Sequence, residues 1–250
     1  MGYVPNSQCI FSGVSKVKPG SYISIDSFSI EIKEYIYWDA ESEALKSHQN
    51  KFKGSFNEAS DELELQLRKK ISNQMISDVP LGSFLSGGID SSLITAIMQS
   101  QSLKPIRTFT IGFDEAEWDE STHASAVAKA IGTNHSEDRI TFQEAISVIT
   151  KLSEIYSEPF ADASQIPTHV VSQSAKKGVI VALTGDAGDE IFCGYDRYHV
   201  NQQIWNIIKF FPGPIKTAIA RQIDNMSLEK LNTYFKFLSK IAPSLSNISR

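Results

Sequence analysis

The stretch "VPLGSFLSGGIDSSLITAIM", Val79 to Met98, decides how this chain folds. It opens as an apolar run of strand length and closes with the apolar spacing of a helix, and Ser86-Gly87-Gly88-Ile89-Asp90-Ser91-Ser92 joins the two. A strand that enters a helix through glycines suits phosphate. The glycines let the backbone approach an anion, serine hydroxyls donate to it, and the helix N-terminus adds unpaired N–H groups and a positive dipole end. The lysine of the P-loop signature is absent, and an aspartate stands in the turn instead.

Working outward, strands and helices alternate. Upstream, "EASDELELQLRKKISNQM" predicts a helix from Asn57, with Leu63, Leu67 and Ile71 on one stripe. Downstream come a strand "IRTFTIGF", a helix "STHASAVAKAIG" ending on Gly132, a strand near "SEDRITF" and a helix "QEAISVITKLSEIY". A helix "IPTHVVSQSAKK", with Gly178 as its expected C-cap, then leads to the strand "VIVALTG". This alternation predicts an α/β fold, a parallel twisted sheet with helices on both faces and ligands at the carboxyl ends of its strands. Residues 1–40 read as short hairpin strands around Gly13 and Pro19-Gly20, and 41–56 as a polar linker before the domain at 57–250. After Tyr198 a helical, apolar tail follows, broken by Pro212, Pro214 and Pro243.

A second loop repeats the logic of the first. "VALTGDAGDEIFCGY" is again a strand that runs into a glycine turn, now with Asp186, Asp189 and Glu190. Carboxylates beside a phosphate repel it unless a hard cation is shared between them, and Mg2+ takes only one or two protein carboxylates. Asp90 and Asp189 are therefore the metal candidates. Taken singly, either loop also reads as a tight turn with helix-capping Asp and Ser.

Composition narrows the class. With 250 residues, a net charge of −5 and no basic stripe, the chain is long enough for a substantial core and does not have the make-up of a nucleic-acid binder. Cys9 and Cys193 are too few for a disulfide framework, are expected as buried free thiols, and suit a reducing, cytoplasmic setting. No apolar run reaches the length of a membrane span, and the five histidines show no metal spacing.

"PLGSFLSGGIDSS" and "TGDAGDEIFCGYDRY" resemble the two signature segments of the asparagine synthetase family, and "FTIGFDE" and "EPFADASQIPTHVVS" resemble it in the expected order between them. The resemblance covers roughly Asn57 to Tyr198 and implies the N-type ATP pyrophosphatase fold, which is adenine nucleotide alpha hydrolase-like and Rossmann-like. It further implies that a substrate carboxylate, the side chain of L-aspartate, attacks the α-phosphorus of ATP, and that ammonia then displaces AMP. Ser86, Gly87, Gly88, Asp90, Ser91 and Ser92 would grip the pyrophosphate. Backbone near Leu85, Ile111, Thr184 and Gly185 would hold the adenosine portion. Asp186 would serve adenylate formation and the ammonia step, and Mg2+ would accompany ATP.

The chain departs from the family in places. Ala187 stands where the family has glycine, and Gly2 follows Met1 where the glutamine-dependent enzymes carry a nucleophilic cysteine. "GYVPNSQCIFSGVSKVKPGSYISID" resembles the last strands of that glutaminase domain, and no "E-x-R-x-P-F-L-D" segment occurs before Arg250. A chain truncated at both ends is expected, with weak or no synthetase turnover alone and a homodimer or a complementing chain as partner. The alternatives are a related ATP pyrophosphatase that acts on another carboxylate in antibiotic or polysaccharide synthesis, and a silent nucleotide-binding module.

Overall fold

In the computed structural model, which describes residues 2–5, 8–114 and 119–227, elements change type where the hydrophobic period switches between 2 and 3.6. An antiparallel hairpin, β1 (Ser21–Ile25) and β2 (Ile32–Ile36), precedes α1 (Ala40–Gln49) and α2 (Phe56–Gln74). Then come β3 (Leu81–Phe84), α3 (Ile89–Ser100), β4 (Arg107–Phe113), α4 (Ser121–Ile131) and β5 (Asn134–Ile140). They are followed by α5 (Phe142–Ile149), α6 (Leu152–Ile155), α7 (Gln165–Ala175), β6 (Val181–Leu183), α8 (Gly188–Phe192), α9 (Asp196–Ile208) and α10 (Gly213–Asp224). The chain forms two compact units that meet in sequence between Gly185 and Asp186.

The first unit is built on a parallel sheet of order β5-β4-β3-β6, as the alternation predicts. Side chains alternate across it. Leu81 packs with Ile71, Ile97, Met98 and Ile106 under α2 and α3, and the Ser83 hydroxyl lies 3.0 Å from that of Thr95 on α3. Leu85, on the same face, packs against Ala124 and Ala128 of α4. Phe84 and Phe109 face the other way, onto Val171 and Ala175 of α7. The helices therefore cover both faces. The small side chains Ala124 and Ala128 bring α4 close against the strand that leads into the glycine loop.

Several boundaries differ from the sequence expectation. The polar stretch expected as a linker forms α1, a helix with no buried residue. Its stability is local: the Asp39 carboxylate accepts from Ser42 N–H (2.8 Å), Glu41 and Glu43 lie in the first turn, and Lys46 and His48 lie in the last. The helix expected through Tyr156 breaks after α5, where Ser147 and Thr150 donate to the carbonyls of Glu144 (2.6 Å) and Ser147 (3.0 Å) and so compete with the helical ladder. Gly132 closes α4 in the left-handed region as expected, but Gly178 is not a cap, since α7 closes on Lys176 in right-handed geometry. Gly178 instead permits a close approach, because a Cβ there would stand 3.3 Å from Arg107 Nη1 and 3.4 Å from the Phe109 ring. The cysteines are not buried: Cys9 is half-buried and Cys193 exposed. Pro243, expected as a break, and Glu115 of the "FTIGFDE" segment lie outside the described residues.

Candidate functional site

Strand order brings the two motif segments of the first unit together. β3 and β6 are hydrogen-bonded neighbours with Ser83 opposite Leu183, so both strands release their chains at the same edge of the sheet. Past that edge, Gly185 lies on the first turn of α3. A Cβ at 185 would stand 2.6 Å from Ser91 N and 2.8 Å from the Asp90 carbonyl carbon, so only glycine fits. Gly87 is constrained in two ways. Its φ is +83°, and a Cβ on it would stand 2.7 Å from Ala124 N and from the His123 carbonyl carbon.

The loop between these glycines leaves donors for a ligand. Helices α1, α2 and α5 have their first turns capped by the side chains of Asp39, Ser55 and Thr141. The N-cap of α3 is Gly88, which has no side chain, and the first intrahelical bond runs from Ser92 N–H to the Gly88 carbonyl (3.1 Å). Unpaired N–H groups at a dipole's positive end form an anion site. The serines brace the turn. The Ser86 and Ser91 hydroxyls lie 2.9 Å apart, Ser86 N–H donates to Ser91 Oγ (3.2 Å), and Gly88 N–H donates to Ser86 Oγ (3.3 Å). The Ser92 hydroxyl is buried with no partner among the described residues. Asp90 is half-buried in the same turn.

The remaining expected contacts of this unit lie along the same edge. The Leu85 side chain is buried under α4 and its N–H donates to the Phe109 carbonyl (2.9 Å), which leaves its carbonyl as the group to serve a ligand. Ile111 lies on β4 two residues beyond Phe109, which pairs with Phe84 of β3, and Thr184 directly precedes Gly185. Both are half-buried.

The second unit carries the acidic loop. Asp186 is exposed and Asp189 half-buried, in a segment where α8 is flanked by two L-residues in the left-handed region, Ala187 (φ 70°) and Cys193 (φ 57°). Gly194 N–H donates to the Asp189 carbonyl (2.9 Å), and the Asp189 carboxylate occupies the space that a Cβ at 194 would need. Tyr195 O–H donates to Glu190 (2.9 Å), which pushes the phenol pKa up, and Arg197 stacks 4.2 Å over the Tyr195 ring.

A cluster at the ends of β4 and β5 was missed from sequence. Arg139 donates to the Phe113 carbonyl (2.9 Å) and pairs with Asp119 (3.0 Å) and Glu137 (3.2 Å), while Asp119 accepts from Ser121 N–H at the start of α4 (3.0 Å). The bonds from Ser121, and then Arg139, hold the Asp119 carboxyl below its usual range. The legible signal was Asp-x-Ser ahead of a helix; its arginine partner lies twenty residues on. His135 lies in the same sheet: burial lowers its pKa, Nδ1 lies 2.9 Å from the Thr108 hydroxyl, and Nε2 is buried without a partner among the described residues.

Among the described residues, no three or more His, Cys, Asp and Glu side chains are grouped to hold a metal ion, and no helix is long and apolar enough to cross a membrane. A cavity of about 500 Å³ between β5 and α7, beside the Lys177–Asp138 pair (2.8 Å), is lined by none of the candidate site residues.

The family model for asparagine synthase matches residues 62–244. The chain is 33% identical over 215 residues to a putative asparagine synthetase [glutamine-hydrolyzing] 2 of Methanocaldococcus jannaschii, a match that covers 85% of this chain and 40% of the relative. It is 32% identical over 197 residues to asparagine synthetase [glutamine-hydrolyzing] 1 of Bacillus subtilis, covering 78% and 30%. With asparagine synthetase B [glutamine-hydrolyzing] of Escherichia coli the identity is 30% over 157 residues, covering 56% and 28%. The matches thus span between 28% and 40% of the length of these relatives.

Proposed function

The chain belongs to the asparagine synthase family, and from that premise we propose that it carries the ATP-binding part of an amide-forming ligase that adenylates the side-chain carboxylate of L-aspartate. The observation that carries this reading is the contact of Gly185 with the uncapped first turn of α3, beside the left-handed Gly87. A leaving pyrophosphate needs fixed donors where its charge develops, and preorganised N–H groups and hydroxyls supply them. Ser86, Gly87, Gly88, Ser91 and Ser92 donate to its oxygens in this proposal, and backbone at Leu85, Ile111, Thr184 and Gly185 holds the adenosine.

The reaction balances in two steps. A carboxylate oxygen bonds to the α-phosphorus as the bond to the bridging oxygen breaks, and pyrophosphate leaves. The nitrogen of ammonia then bonds to the acyl carbon, AMP departs, and a proton is lost as the amide forms. Mg2+ fits the donor set here: a lone carboxylate in the first turn, Asp90, is too few for a protein-only cage but suits an ion whose other ligands are phosphate oxygens and water. That ion would neutralise charge on the pyrophosphate. Asp186, as the positioning or proton-transfer residue, and Asp189, as a second metal carboxylate, are proposed from the family resemblance.

The domain reading is part of the proposal: 1–40 as the end of a glutaminase-type domain, 41–56 as a linker and 57–250 as the synthetase domain. In its support, Ile23, Ile25, Ile32 and Ile36 share one face of the β1–β2 hairpin and are all exposed, a face suited to cover by another part of a larger assembly. A cytoplasmic location, with a homodimer or a complementing chain, completes the reading.

ATP–pyrophosphate exchange with Mg2+, with and without L-aspartate, tests it. Aspartate-dependent exchange is expected in the chain and a loss of roughly 100-fold in Asp90→Ala, the order of a removed charge stabiliser. Exchange that survives Asp90→Ala would overturn the loop assignment, and aspartate-independent exchange would overturn the substrate.

A further inference from the structure

The glycine loop rests on α4. Gly87 meets the backbone of His123 and Ala124 in the first turn of that helix, and the Leu85 side chain packs on Ala124 and Ala128 one turn further along. Alanines bury little area, so packing alone holds this end of α4 weakly. Its start is fixed by polar bonds instead. Asp119 accepts from Ser121 N–H (3.0 Å), Arg139 pairs with the other Asp119 oxygen (3.0 Å), and the same Arg139 nitrogen donates to the Phe113 carbonyl at the end of β4 (2.9 Å). The Ser121 side chain is fully buried where Gly112 leaves room for it, with a Cβ at 112 only 3.1 Å from Ser121 Oγ.

We infer that Arg139 is a positioning residue for the phosphate loop, acting through Asp119 and the first turn of α4. The guanidinium fork ties the helix start to the end of a central strand, so Ala124 N and the His123 backbone present a fixed wall to Gly87. Without the tie the N-terminal turn of α4 frays, the wall recedes, and the loop loses the geometry that aims its N–H groups. The word phosphate rests on the function proposed above; the mechanical link does not.

Two readouts on the full chain keep these apart. Hydrogen exchange of the amides at 86–92 should quicken about tenfold in Arg139→Met, while amides at 94–98 of α3 and 108–110 of β4 hold their wild-type rates. An unchanged loop, or equal quickening in all three segments, overturns the inference. Calorimetry with inorganic pyrophosphate and Mg2+ should show Kd raised about tenfold by Arg139→Met and by Asp119→Ala. Asp119→Asn keeps its one oxygen for Ser121 N–H but turns amide N–H groups toward Arg139, so it loses the tie and should weaken binding about as much as Arg139→Met. Equal pyrophosphate affinity in wild type and Arg139→Met overturns the inference, as does an Asp119→Asn variant that binds as tightly as wild type. If wild type binds no pyrophosphate, the proposed function fails and the exchange rates still decide the link. Should Arg139→Met not fold, Arg139→Lys, a cation without the fork, carries the same expectations at about threefold.

Discussion

The two motif loops use the same plan, a strand end, a turn at positive φ and a helix, and they differ in which residue bears the strain. In the first, Gly87 takes the left-handed position and leads to the 12-residue α3, anchored by buried Thr95, Ile97 and Met98. In the second, Ala187 and Cys193 take it on either side of the five-residue α8, which has no buried residue. An L-residue in this region costs about 1–2 kcal/mol. The first loop thus reaches its shape without backbone strain and on a packed foundation, whereas the second is strained and has little burial to offset the cost. The rigidity that the proposed pyrophosphate contact requires resides in the first.

The largest effect expected from breaking this contrast comes from Gly87→Ala, which adds both left-handed strain and a clash with the α4 backbone. Together these should lower the stability of the first unit by about 3 kcal/mol, read by urea unfolding followed through amides of β3 and β4. A loss below about 1 kcal/mol would mean that the wall against Gly87 yields freely. The opposite sign is expected in the second loop. Ala187→Gly should relieve strain and stabilise the second unit by about 1 kcal/mol, and a neutral or destabilising result would show that the αL geometry of this residue carries no cost.

A smaller expectation concerns acid. His135 belongs to the first unit, and burial holds its pKa below the ordinary value near 6.5. The folded state therefore binds that proton less readily than the unfolded state. Stability from this residue is complete above about pH 6.5 and is lost as pH falls through the lower, folded value. His135→Gln should flatten the acid limb of stability for the first unit and leave that of the second unchanged; an acid limb equally steep in the variant would assign it to other groups.

Much of the site was legible because it is local. Gly87 and Gly88 between a strand and a helix, and Thr184-Gly185 after another, state by type and spacing what the backbone must do there. The α1 helix was less legible, since its capping residues and end charges produce no apolar stripe. The break after α5 was hidden because Ser147 and Thr150 act through hydroxyl bonds to the backbone, which hydrophobic period does not register. Gly178 was misread for a related reason: a glycine after a helix suggests a cap, but here it admits Arg107 and Phe109, seventy residues upstream.

Period and loop chemistry were enough, without coordinates, to set the alternating α/β order, the parallel sheet and the glycine turn from strand to helix at residues 86–92, because these depend on neighbours in the chain. Tertiary structure alone decided that β6 lies beside β3, which seats Gly185 on Ser91, and that Arg139 reaches Phe113 and Asp119. Such contacts join residues 20 to 100 positions apart, and strand order and burial select them, neither of which is written in any single segment.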